Sequence, residues 1–290
     1  MYARDIRKQF TIRKRRGEVR QITVLTDQAA EMHRFYIRAL EPLLDEAPHP
    51  ECSHCRRGCN TVTNALPHLG WHWTLQLDIA NCFDSIPANW WLLPALHALK
   101  VKIVRCPSVI AGIKQHYLFS VVADRLSREG KIVQGPPSSP LLCNLFLAYV
   151  LDPVVMDAPT SMPYVYTRYL DDLTISSDSR STLENLHNVI RQRLESLFMQ
   201  LAERKTLLVD RLARAVHIAG ISIKPGAVEL TVPRYMRRKL RAAERAARTH
   251  RHVDARHRAA GLSAYCRLRP PRMTVEMLRA VEILENTNHG

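Results

Sequence analysis

Hydrophobic and polar residues alternate with period two in Trp73-Thr-Leu-Gln-Leu-Asp-Ile79. Trp73, Leu75, Leu77 and Ile79 fall on one face, and Thr74, Gln76 and Asp78 on the other. The pattern predicts a half-buried strand with Asp78 near its C-terminal end, on the polar face. Runs of β-forming residues predict further strands at Tyr164–Tyr169, Leu173–Ser176 and His217–Ile223, the first two joined by a tight turn at Leu170-Asp171-Asp172. Phe10–Arg20 reads as a strand, a basic turn at Gly17 and a second strand. Helical spacing predicts helices over Thr26–Asp45, Asn89–Lys100, Pro107–Arg125, Pro140–Asp152, Ser181–Arg204 and Pro233–Arg251. A short final helix, Thr274–Asn286, follows the proline-bearing break at Arg269–Arg272. Ser139-Pro140 predicts a helix start with a serine cap. Helices mixed with antiparallel strands argue an α+β fold.

Composition narrows the class. The 290 residues are 46% hydrophobic and 24% charged, which excludes wholesale disorder, a collagen-like chain and a coiled-coil rod. The length suits one large or two small domains. The apolar run Leu141–Leu151 is well short of the roughly 20 residues that span a bilayer, so no membrane partner is expected. The opening MYARDIRKQF is charged from residue 4 and the cysteines number seven, so a reduced, cytoplasmic protein is expected.

Charge adds a partner. The net charge of +15 calls for a polyanion, with nucleic acid the default. It is unevenly spread: Arg204–Arg272 nets +14 and Arg4–Arg20 nets +6, while the remainder nets −5. Two basic ends therefore flank a mildly acidic middle. In the helix that Pro233 opens, Arg234, Arg238, Arg241, Arg245 and Arg248 share one face, opposite Met236, Leu240, Ala243 and Ala247. A solvated charged face usually mixes signs; this stripe suits a track of phosphates.

The acidic middle suggests chemistry. Asp171 and Asp172 repel each other unless a cation bridges them. If their strands neighbour that of Asp78, three carboxylates converge at one sheet edge, a donor set that suits Mg²⁺. Cys52, Cys55 and Cys59, with His49, His54 and His68 nearby, match the donors of a structural zinc site. Packed, reduced thiols are the preferred reading. Cys82, Cys106, Cys143 and Cys266 read as small core residues.

Three motifs together carry a resemblance. Leu77-Asp-Ile-Ala-Asn-Cys-Phe-Asp-Ser-Ile86 resembles the first catalytic motif of bacterial reverse transcriptases. Gln134-Gly-Pro-Pro-Ser-Ser-Pro140, followed by Leu-Leu-Cys-Asn144-Leu, is similar to their Gln-Gly-x-x-x-Ser-Pro-x-Leu-x-Asn motif. Tyr166–Ser177 is similar to their Tyr-x-Asp-Asp box, and the order is the family's. Asn64-Ala65-Leu66-Pro67-His68 resembles the Asn-Ala-x-x-His signature of the retron branch. Leu170 stands where that branch usually has Ala, and Ile218-Ala219-Gly220 where Val-Thr-Gly is expected.

The resemblance runs from about Phe10 to Arg269 and implies a right-hand polymerase. Its fingers would take residues 1–72, its palm 73–228 with an interleaved fingers segment, and a basic helical thumb 229–290. It implies Asp78, Asp171 and Asp172 as catalytic residues that hold two Mg²⁺ ions with help from the Ile79 carbonyl. Phe83 would lie under the incoming sugar and exclude a ribose 2′-hydroxyl. Lys14 and Arg20 would clamp the triphosphate, with Gln134 and Gly135 beside the nucleotide. Lys205 would sit near the leaving pyrophosphate as a proton donor. The arginine stripe would bind RNA or the growing duplex. The implied function is DNA synthesis from dNTPs on a structured non-coding RNA, with an RNA-linked DNA product, in phage defence with an effector protein. The alternatives are another bacterial lineage of the same polymerase, an inactive RNA-binding scaffold and a metal-dependent nuclease. The intact acidic triad argues against the scaffold, and the Gln134-Gly135 and fingers motifs against the nuclease.

Overall fold

A computed structural model of the chain describes residues 2–13, 19–47, 50, 52–53, 59–87, 127–226, 230–232, 234–249 and 263. The helices predicted at Asn89–Lys100, Pro107–Arg125 and Thr274–Asn286 lie outside these residues, as do Lys14, Cys55, Cys106, Cys266, His49 and His54.

The centre is a five-stranded sheet of β3 (Cys52–Ser53), β4 (Trp73–Asp78), β5 (Tyr164–Tyr169), β6 (Asp172–Ser177) and β7 (Leu207–Asp210). The strand order is β3-β5-β6-β4-β7, antiparallel except for the short β3–β5 pair. One face is packed by α1 (Asp27–Glu46), α4 (Ser139–Val150) and α6 (Arg180–Ser196). Leu75, Leu77 and Ile175 of the sheet meet Leu142, Phe146 and Ile190 of the helices there, all buried. Each such side chain contributes about 1.5–3 kcal/mol. The middle of α4, Leu141–Ala148, is buried throughout, which explains its near-continuous apolar sequence. α6 instead buries a single stripe of Leu183, Leu186, Ile190 and Leu194, and Ser179 caps it by accepting from the Thr182 amide at 3.2 Å.

The opposite face is covered as well. A three-stranded sheet, β8 (Val216–Ile218), β9 (Ile221–Ile223) and β10 (Leu230–Thr231), packs with α2 (Thr61–Ala65) around a second small core. The polar side of β4 is therefore sheltered: Thr74 is fully buried against Ser176, and Gln76 donates to the His217 carbonyl at 2.8 Å. A separate antiparallel ribbon pairs β1 (Ile6–Arg13) with β2 (Val19–Leu25). Two short helices, α3 (Cys82–Ser85) and α5 (Asp152–Met156), and a basic helix, α7 (Arg234–Thr249), complete the described elements.

Four expectations change. His217–Ile223 is a hairpin rather than one strand, because Ala219 and Gly220 take positive φ and reverse the chain. The helix expected to reach Arg204 stops at Ser196. Phe198 turns left-handed there, and Met199 and Leu201 leave the helix to be buried beside β4. The expected turn Leu170-Asp171-Asp172 is shorter by a residue: Tyr169 pairs with Asp172, leaving Leu170 and Asp171 as the loop. Ser139 starts α4 but does not cap it. Its hydroxyl donates to the Val133 carbonyl at 2.6 Å, and Ser138 bonds His33 instead.

Candidate active site

The site is built from strand register. Asp78, the last residue of β4, lies opposite Asp172, the first of β6, and the Ile79 amide donates to the Asp171 carbonyl at 3.1 Å. That bond pattern makes Asp78 and Asp172 a non-hydrogen-bonded pair, the closer kind, with Cα atoms about 4.5 Å apart. Asp171 is the second loop residue of the β5–β6 hairpin. Three acids from two distant parts of the sequence thus lie together at one end of the central strands.

The register is enforced from below by a buried polar cluster. Arg168 and Asp152 are both fully buried and paired at 2.6 Å. Arg168 also donates to the Asn144 side chain at 2.5 Å and to the Leu170 carbonyl at 3.3 Å. It thereby ties the acidic turn to α4. Leu170 has φ 58, a left-handed conformation costing roughly 1–2 kcal/mol that the surrounding bonds sustain. Further down the hairpin, His68 spans both strands, with ring nitrogens 2.8 Å from Ser176 Oγ and 2.7 Å from Thr167 Oγ1. Asn64 donates to the Arg168 carbonyl at 3.2 Å. Burial, then the Arg211 charge, lowers the His68 pKa to about 3, so this imidazole stays neutral. With both nitrogens engaged, His68 is no zinc ligand. Cys82 and Cys143 are buried free thiols 3.5 Å apart, as core residues should be, and Cys59 is a free thiol too.

The early end of α6 places Lys205. After Phe198 the chain runs back along β4: Ala80 donates to the Gln200 carbonyl at 2.8 Å and Ala202 to the Asp78 carbonyl at 2.7 Å. A single helical turn, Glu203–Lys205, follows, and Lys205 Nζ reaches both carboxylate oxygens of Asp78, at 2.6 and 2.7 Å.

Asp78, Asp171 and Lys205 line a cleft of about 290 Å³ with Arg20, Asn81, Asp84, Gln134 and Arg204, while Asp172, paired with Asp78, stands outside its lining. Gln134 is held at its rim because its carbonyl accepts from the Thr23 amide at 2.9 Å. Gly135 has φ +118, and a Cβ there would stand 2.1 Å from the Thr23 carbonyl oxygen. Among the described residues, its freedom serves this close approach to β2. Phe83 is outside the cleft lining, half-buried against the main core. Arg234, Arg238, Arg241, Arg245 and Arg248 are exposed on α7, while Met236, Leu240 and Ala243 are more buried.

The electrostatics favour a cation. Asp171 is raised above the usual carboxylate range by burial, then by Asp78. Asp172 is raised to about 7 by burial, then by Asp171 and Asp78. Among the described residues no three His, Cys, Asp or Glu side chains are gathered closely enough, as they stand, to hold a metal ion. The oxygen donors and their mutual repulsion nevertheless fit a hard divalent ion. Asp84, Arg204 and the Arg168–Asp152–Asn144 cluster were missed as functional candidates. A charged residue flanked by β-formers, as in Tyr164–Tyr169, was the available signal for Arg168.

The sequence profile of the reverse transcriptase (RNA-dependent DNA polymerase) family matches residues 12–223. The chain is 29% identical over 286 residues to the retron Mx65 reverse transcriptase of Myxococcus xanthus, a match covering 93% of this chain and 63% of that protein. It is 23% identical over 210 residues to the retron Ec86 reverse transcriptase of Escherichia coli, covering 72% of this chain and 61% of that one. It thus spans less than two thirds of the length of these relatives. Among solved structures, apo telomerase from Candida tropicalis superposes with a TM-score of 0.54 at 13% identity, over 78% of this chain and 48% of the other. That likeness concerns the fold. Among the described residues no helix is long and apolar enough to cross a membrane.

Proposed function

The chain belongs to the reverse transcriptase (RNA-dependent DNA polymerase) family, and on that premise we propose that it copies a dedicated structured RNA into DNA, as a retron enzyme. The observation that carries this reading is the pairing of Asp78 with Asp172, at a cleft that Asp78 and Asp171 line together with Arg20, Gln134 and Lys205. In it, the β1–β2 ribbon belongs to fingers (1–72), the central sheet to the palm (73–228) and α7 to the thumb (229–290). The reaction joins a primer hydroxyl oxygen, a 2′-oxygen of the RNA at the start and the DNA 3′-oxygen thereafter, to the α-phosphorus of a dNTP and releases pyrophosphate.

Asp78, Asp171 and Asp172, with the Ile79 carbonyl, are the proposed ligands of two Mg²⁺ ions. When bound, these ions supply activation of the attacking hydroxyl and stabilisation of the leaving pyrophosphate. Arg20, with Lys14, clamps the triphosphate. Gln134 and Gly135 border the nucleotide, Phe83 excludes the ribose 2′-hydroxyl, and Lys205 gives a proton to the leaving group. The exposed arginines of α7 follow nucleic-acid phosphates. The retron reading is supported by the matches to retron enzymes and by Asn64 and His68 of the Asn-Ala-x-x-His motif, whose bonds brace the hairpin bearing the acids. Cytoplasmic phage defence with an effector protein completes the proposal.

Purified protein with an RNA template, a primer and dNTPs should extend the primer to the template end in Mg²⁺. No incorporation on any primed RNA would overturn the polymerase reading. Nucleic acid co-purifying from cells should contain a branched RNA–DNA species. Extension without any RNA-linked DNA would leave the polymerase and remove the retron.

A further inference from the structure

Lys205 occupies Asp78 symmetrically, with Nζ 2.6 and 2.7 Å from its two oxygens, and only 12% of the Asp78 side chain is exposed. Among the described residues Asp78 makes no other ion pair, and its carboxylate also meets the Asp172 side chain. An ammonium in that position lies where a cation held by Asp78 would have to lie. One carboxylate cannot serve both in that geometry, since each oxygen is already taken by a donor. The Lys205 side chain, at 36% exposure, lines the open side of the cleft and has solvent to move into. The backbone that carries it is fixed, because Ala202 is bonded to the Asp78 carbonyl and the next turn is closed by the Lys205 amide on Ala202.

We propose that Lys205 is a placeholder for the divalent ion, bound to Asp78 when the site is empty and expelled into the cleft when the ion enters. This rests on the metal reading given above and adds a coupling to it. Lysine and ion compete for one carboxylate, so ion loading is what frees the ammonium to meet an anionic group in the cleft. By linkage the effect is reciprocal: an anion that draws Lys205 away tightens ion binding by the same factor. Lys205 thus acts as a positioning residue for Asp78 before it acts on any substrate.

The test is titration of the nucleic-acid-free protein with MgCl₂ alone, followed by calorimetry and by the thermal unfolding midpoint. Lys205→Gln should bind Mg²⁺ at least about fivefold more tightly than wild type, the scale of a partly exposed ion pair. Lys205→Arg should keep the weaker wild-type affinity. Arg214→Gln removes the same charge from an exposed residue outside the cleft lining, and should change affinity much less. Equal affinities in wild type and Lys205→Gln, or an equal gain in Arg214→Gln, would overturn the placeholder and leave the metal reading standing. Absence of Mg²⁺ binding in all of these proteins would overturn both. If Lys205→Gln folds poorly, Lys205→Met serves the same comparison.

Discussion

Two polar clusters share the β5–β6 hairpin, and they are built on opposite principles. Around Arg168 and Asp152 every charge is met: the two are fully buried, paired at 2.6 Å and bonded onward to Asn144 and Tyr166. At the hairpin tip, Asp171 and Asp172 face Asp78 with one partly exposed lysine among them. The first arrangement specifies geometry. The second leaves like charges against one another, and on the proposed reading a bound cation would relieve that repulsion. Charge type alone does not separate structural from reactive residues; the completeness of their pairing does.

The largest expected effect comes from removing an acid. Asp171→Asn should lower dNTP incorporation by about a thousandfold or more, roughly 4 kcal/mol of barrier, with RNA binding retained. Primer extension and filter binding on one preparation check this. Incorporation within tenfold of wild type would blur the distinction between the clusters.

The converse change is Arg168→Met, which strands Asp152 as a buried charge. A loss of about 3–5 kcal/mol is expected in chemical denaturation, and adding Asp152→Asn should recover part of it. A loss under 1 kcal/mol would mean that the buried cluster does not hold the hairpin.

How much of this was legible in the chain follows the same division. Period-two alternation placed Asp78 on the polar side of β4, and β-forming runs found β5 and β6. What alternation could not show is that a second layer covers that polar side, because its strands are only two or three residues long and Ala219-Gly220 separates the first two. Phe198 hid the end of α6: no Gly or Pro marks it, and the chain leaves the helix because Met199 and Leu201 are buried elsewhere. The convergence of Asp78 with Asp171 and Asp172 is a tertiary fact that the sequence suggests only through family resemblance, and the register pairing Asp78 with Asp172 is seen only in the structure. Arg168 read as part of a motif, with nothing local to announce its partner Asp152.

A smaller effect concerns pH. The His68 pKa is about 3 in the fold, below its unfolded value of about 6.5. The unfolded chain therefore takes up the proton first as pH falls. The contribution is complete above about pH 6.5 and declines toward pH 3, by at most about 1.4 kcal/mol per pH unit. His68→Gln should flatten that slope in denaturation curves between pH 4 and 6.5. An unchanged slope would remove His68 from the buried, neutral set.

The smallest effect is at Leu170, where φ is 58. Leu170→Gly should leave stability within about 1 kcal/mol of wild type, since relief of strain offsets the entropy of glycine. Leu170→Val should be the worse of the two by a similar amount, because a β-branched residue is poorly tolerated there. Equal denaturation midpoints for both variants would show that the turn is not held left-handed.

The most direct measurement is the metal-free unfolding midpoint of Asp172→Asn at pH 8. Asp172 has its pKa raised to about 7, above the ordinary carboxylate value, so its ionised form opposes folding at that pH. An acid kept for chemistry costs stability until its ion arrives, and its neutral isostere should unfold at or above the wild-type temperature while incorporating no dNTP. A midpoint several degrees below wild type would make Asp172 a structural residue and contradict the assignment of this cluster to catalysis.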